Sequence, residues 1–108
     1  MPIYDLGGMG KVEDTVRVVS GDVAATLSVL SSGGNPPIAV LLTCEDNDVR
    51  IALGGTSASQ GASGVGHVLN SNTSLRVSGP GSNSISYINK TNGSDGVLQV
   101  TAEYEYGR

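Results

Sequence analysis

The feature that most constrains this chain is the spacing of its turn signals. Breaks built from Gly, Pro, Asn, Asp and Ser recur at roughly 8- to 12-residue intervals, with no helical period between them. The segments between the breaks are rich in Val, Leu, Ile and Thr, which suit a pleated backbone and lose side-chain freedom in a helix. The expected fold class is therefore all-β: an antiparallel β-sandwich or jelly-roll-like domain of about eight short strands.

In order, residues 12–19 form a β-branched run closed by Ser20-Gly21-Asp22. Residues 23–30 resume with Val23, Ala25, Leu27 and Val29 at alternate positions, and the two segments are expected to pair as a hairpin. After the loop SSGGNPP comes IAVLLTC, residues 38–44, the most apolar run in the chain. A continuous apolar run of strand length predicts a central strand buried on both faces. Residues 45–48 (EDND) are a turn, since Asx side chains bond their own backbone. Val49, Ile51 and Leu53 then alternate with Arg50 and Ala52.

Residues 54–65 make a Gly- and Ser-rich loop of a length that usually signals either function or disorder. A short strand at residues 66–69 follows, then one with Leu75 and Val77 on a single face, the turn SGPGSN, and a strand carrying Ile85 and Tyr87. Asn92-Gly93 is the strongest hairpin signal, because this pair accepts the positive φ angles of a type I′ turn. The last segment sets Leu98, Val100, Ala102, Tyr104 and Tyr106 against Val97, Gln99, Thr101 and Glu103, and the first set is expected to be buried. The domain division is an amino-terminal arm over residues 1–11 and one β domain over residues 12–108. In the arm, Ile3, Tyr4 and Leu6 are apolar enough to dock on the domain or on a neighbour.

Composition argues against several function classes. The net charge is −4 and the six Lys and Arg are scattered, so no basic stripe is available to track phosphates and no nucleic-acid partner is expected. No apolar run reaches membrane length, and residues 1–10 lack the apolar centre of a secretory leader. Without a leader, the sequons at Asn72, Asn89 and Asn92 read as products of an Asn- and Thr-rich chain. The single cysteine, Cys44, has no internal disulfide partner and, ending an apolar run, reads as a small buried hydrophobe.

Catalytic and ligand-binding patterns fare no better. Gly54-Gly55-Thr56 follows a strand but leads into no Gly-Lys-Ser/Thr and no helix, so it is not a phosphate loop. Gly61-Ala62-Ser63-Gly64 misses the spacing of a nucleophile elbow. His67, the only histidine, has no ligand or nucleophile at a telling distance in sequence. No enzyme, cofactor or metal site is expected. A sugar-binding module on a fibre or secreted protein is the alternative, with Tyr4, Tyr87, Tyr104 and Tyr106 as the available stacking platforms.

One pattern spans about half the chain. Residues 49–56 (VRIALGGT) end a strand in Gly-Gly-Thr, and residues 66–69 (GHVL), 74–77 (SLRV) and 98–104 (LQVTAEY) follow as strands in that order. This succession resembles small all-β structural proteins of tailed bacteriophages, the capsid decoration and head-associated class. The resemblance implies a non-enzymatic virion protein, assembled in the host cytoplasm, that binds the major capsid protein or other virion proteins on the outer lattice and associates as a homotrimer. It transfers no catalytic residue. The partner contacts expected with it are Ile3, Tyr4 and Leu6 in the arm and Gly54, Gly55 and Thr56 at the loop.

Overall fold

The computed structural model describes residues 10–12, 15–27, 37–78 and 84–105. Ile3, Tyr4 and Leu6 lie outside the described residues, as do Val29 and Tyr106. Nine strands are described: β1 (Gly10–Val12), β2 (Val16–Val19), β3 (Ala25–Thr26), β4 (Ala39–Glu45), β5 (Val49–Ala52), β6 (His67–Leu69), β7 (Ser74–Ser78), β8 (Ser86–Asn89) and β9 (Val97–Glu105). No helix occurs among the described residues. The expected arm over residues 1–11 gives Gly10 and Lys11 to β1, paired with Glu105 and Tyr104 of β9.

The strands form two antiparallel sheets. The first has the order β1-β9-β4-β7, with β2 pairing β9 further along its length. The second has the order β3-β8-β5-β6. The pairings are nested in sequence. Val16 faces Val100, Ala25 faces Tyr87, Val40 faces Val77 and Val49 faces Leu69, each pair enclosed within the one before.

This nesting corrects two expectations. The described parts of residues 12–19 and 23–30 do not pair as the expected hairpin, because β2 joins β9 in one sheet while β3 joins β8 in the other. Asn92-Gly93 does sit in a turn, closed by Ser94 N–H donating to the Thr91 carbonyl at 3.0 Å. Only Gly93 has positive φ, 82°, whereas a type I′ turn needs two such residues. The turn sends the chain from one sheet to the other instead of folding β8 onto β9.

Residues of both sheets meet in one apolar core. Val40, Leu42, Cys44, Leu98 and Val100 from the first sheet pack with Val49, Ile51, Leu69, Ile85 and Tyr87 from the second. With no Phe or Trp in the chain, the Val, Leu and Ile side chains among these carry most of the burial, each contributing about 1.5–3 kcal/mol. β4 is central, between β9 and β7, as its composition implied. It is not buried on both faces: Val40, Leu42 and Cys44 are buried, while Leu41 is exposed and Thr43 is partly exposed. On β9, Leu98, Val100, Ala102 and Tyr104 are buried as expected, but the opposite face does not stay open throughout, since Val97 is buried too. Glu103 on its other face is buried as well and accepts from Arg76 Nη2 at 2.9 Å.

The long loop is neither structureless nor detached. Ala58 packs on Ala52 and Ile88, on the side of the second sheet away from the core, with Ala24 against them. Ala58 N–H donates to Ser86 Oγ at 3.0 Å, and Arg50 Nη1 donates to the Gly66 carbonyl at 3.0 Å. The loop covering explains why all four residues of β8 are buried when alternation predicts half.

Candidate functional site

The described surface offers three places where function could reside: a polar end, the tip of the long loop, and a groove along one side.

The polar end gathers the four turns β2–β3, β4–β5, β6–β7 and β8–β9. Asn47 Nδ2 donates to the Asp95 carbonyl at 2.9 Å, and Ser71 N–H donates to Asp48 Oδ1 at 2.8 Å. Asn89 N–H donates to the Gly21 carbonyl at 2.9 Å. At the centre is the Asn89 side chain, with no solvent exposure. Its Nδ2 donates to Asp22 Oδ1 at 3.0 Å and to Asp95 Oδ1 at 2.7 Å, and its Oδ1 accepts from the buried Ser20 hydroxyl. Ser20 Oγ in turn accepts from Gly96 N–H at 2.8 Å. Every polar atom of the Asn89 side chain is thus committed to protein partners, and the residue is closed to glycosylation.

Asp22 Oδ1 also accepts from Gly93 N–H at 2.8 Å and from Gln60 Nε2 at 3.1 Å. These donors, the Gly93 amide foremost, hold the Asp22 carboxyl below its ordinary pKa. Asp22 and Asp95 converge through one amide, which makes them a clasp between turns. Among the described residues no three of His, Cys, Asp and Glu gather as metal ligands do.

The loop tip carries Gly54, Gly55 and Thr56, all exposed. Gly54 and Gly55 have φ of 71° and 86°, a geometry that side chains with a Cβ strain to adopt. Of the six partner-contact residues expected from sequence, these three are placed at the surface together, at the far end of β5 from the polar turns.

The groove was not anticipated. β6 and β7 are the outer strands of their sheets on the same side of the molecule, and neither has a second strand partner among the described residues. Between them lies a groove of about 460 Å³ lined by Leu53, Leu69, Leu75 and Val77 together with His67, Val68, Ser74, Arg76 and Ser78. Sequence alone marks the strands but not which of them end a sheet, so nothing in it flags the groove.

The remaining candidates are framework. Cys44 is fully buried, donates its thiol to the Asn47 carbonyl at 3.2 Å, and has its pKa raised by burial and by Asp48. His67 is exposed on β6. Tyr87 and Tyr104 are 8% and 4% exposed, which removes both as sugar-stacking platforms. Comparison with protein-family models, with curated proteins and with solved structures finds no match.

Proposed function

We propose that this chain is a non-enzymatic structural protein of a virion, a capsid decoration protein that binds the outer lattice, built on a jelly-roll β-sandwich. The observation that carries the reading is the nesting of the pairs β2/β9, β3/β8, β4/β7 and β5/β6. A long antiparallel hairpin with those rungs, rolled so that alternate rungs fall in alternate sheets, is the winding of a jelly roll. That fold is shared by viral capsid and lectin domains.

The step from fold to role is an analogy. It is supported by the succession of strand segments that resembles phage head proteins, and by an acidic surface with exposed Gly54, Gly55 and Thr56 available for contact. Repeated modest contacts over a lattice would supply avidity without a deep site. The sugar-binding reading belongs to the same fold but loses Tyr87 and Tyr104 to the core.

The test is co-sedimentation with phage particles from the preparation that encodes the chain. Retention on intact capsids, competed by excess free protein, is the expected result. Absence from purified particles, or retention on a glycan array instead, overturns it.

A further inference from the structure

We propose that Asn92 is a latent self-modification site, set to deamidate through the Gly93 nitrogen, and that Asp22 holds the site shut for as long as the clasp is closed. The reaction is an internal acyl transfer. The Gly93 nitrogen gives up its proton and bonds to Asn92 Cγ, the Cγ–Nδ2 bond breaks, and ammonia leaves with that proton. Water then opens the cyclic imide at either carbonyl, leaving aspartate or isoaspartate at position 92.

The chemistry is local to this pair. Asn92 is the only asparagine in the chain followed by glycine, so the attacking nitrogen is approached with no neighbouring Cβ in the way. Both residues are exposed in the turn that Ser94 N–H closes on the Thr91 carbonyl. A Cβ built on Gly93 would meet nothing within 4 Å, so the imide and the water that opens it have room. Asn89 is the opposite case, buried and with its amide committed to Ser20, Asp22 and Asp95.

The guard is the bond from Gly93 N–H to Asp22 Oδ1, at 2.8 Å. The imide nitrogen carries no proton, so this bond is forfeited on any path to it. A nitrogen stripped of its proton would also stand as a negative charge against the Asp22 carboxylate, and like charges disfavour the ionised form. Nor is the carboxylate a good base for that proton. The Gly93 amide, with Gln60 Nε2 at 3.1 Å and Asn89 Nδ2 at 3.0 Å on the same oxygen, holds Asp22 below its ordinary pKa. Opening the clasp frees the nitrogen, and conversion is one-way. It adds a carboxylate, or an extra backbone carbon, to a turn that already carries Asp95. The turn thus keeps a covalent record of clasp opening.

Peptide mapping of the full chain during incubation at neutral pH tests this, following the mass gain of –OH for –NH2 at Asn92 and the enzymatic methylation of isoaspartate. The folded wild type should convert at least about fivefold more slowly than the same chain unfolded in urea, the factor equivalent to one ordinary hydrogen bond. Asp22→Ala should remove most of that difference in the folded chain. Ile51→Val, which weakens the core away from the turn, should leave the rate within about twofold of wild type, because its effect is global rather than local. Asp22→Asn, which keeps an acceptor and loses the charge, should also convert faster than wild type and serves if the alanine variant does not fold. Equal rates in the folded and unfolded wild type, or no acceleration in the Asp22 variants, overturns the proposal. So does equal acceleration in Ile51→Val, and so does a slower rate in the Asp22 variants, which would make the carboxylate a base instead of a guard.

Discussion

Replacing Asn89 tests how one end of the molecule is held. The side chain makes three hydrogen bonds, one from Ser20 and two to the carboxylates of Asp22 and Asp95, and is fully buried. A hydrogen bond contributes about 1 kcal/mol net, and those to charged groups about 1.5–3 kcal/mol. Asp22 and Asp95 are exposed and recover water when the amide is removed, so each is taken at the neutral figure. Asn89→Ala should therefore cost about 3 kcal/mol, before any cavity contribution. In urea that is a midpoint shift of roughly 1.5 M at a slope near 2 kcal/mol/M. In a thermal melt it is a drop of at least about 12 °C.

Asn89→Asp, which sets a third carboxylate against Asp22 and Asp95, should be at least as damaging at pH 7 and recover partly as the pH falls toward 4. The decisive measurement is a double-mutant cycle in an Asp22→Ala, Asp95→Ala background, where the cost of Asn89→Ala should drop by about half or more. A cost below about 1 kcal/mol, or an unchanged cost in that background, refutes the clasp, because a coupled network cannot be additive.

Asp22 has a depressed folded-state pKa, so its contribution is present above the unfolded value near 3.8 and lost as pH falls through the folded one. Stability should decline below about pH 4 in the wild type and less steeply in Asp22→Asn, as followed by urea midpoints across pH 2.5–5. A Cβ on Gly96 would stand 2.6 Å from Val49 Cγ2 and closer still to the Asn47 carbonyl, whereas one on Gly21 meets nothing within 4 Å. Gly96→Ala should cost about 1–3 kcal/mol and Gly21→Ala within about 0.5 kcal/mol in the same denaturation assay. Ala58→Glu should lift the loop of residues 53–66 from β8 and speed its cleavage by a broad-specificity protease at least about tenfold, with the rest of the chain intact.

Much of the framework is legible in the sequence because a half-buried strand writes its burial as alternation. Leu98, Val100, Ala102 and Tyr104, and Leu75 with Val77, fall on the faces their parity predicts. The failures have physical causes. IAVLLTC reads as buried on both sides because an exposed Leu41 looks the same in sequence as a buried one. Asn92-Gly93 specifies a turn, but turn chemistry does not record whether the flanking strands pair or diverge into different sheets. Asn89 was hidden in the turn-like stretch around it, yet it continues the inward parity of Ile85 and Tyr87. A polar residue at an inward position was the available signal of the clasp. The groove left no local signal, since edges are a property of the assembled sheet.

The nested pairing has a consequence for how the chain comes into being. The innermost rung, β5 with β6, joins residues about 20 apart, while the outermost joins Gly10 to Glu105. Closing the longer loops costs more entropy before any contact repays it, so the inner rungs zip first. An inner position of the first sheet is filled by β9, the last of the described strands, which pairs with β1, β2 and β4. Until the ribosome has released residues 97–105, β1 and β2 have no strand partner among the described residues and β4 has only β7 there. The first sheet therefore waits on β9, and a nascent chain stalled before residue 97 would hold the second sheet and the unsealed parts of the first.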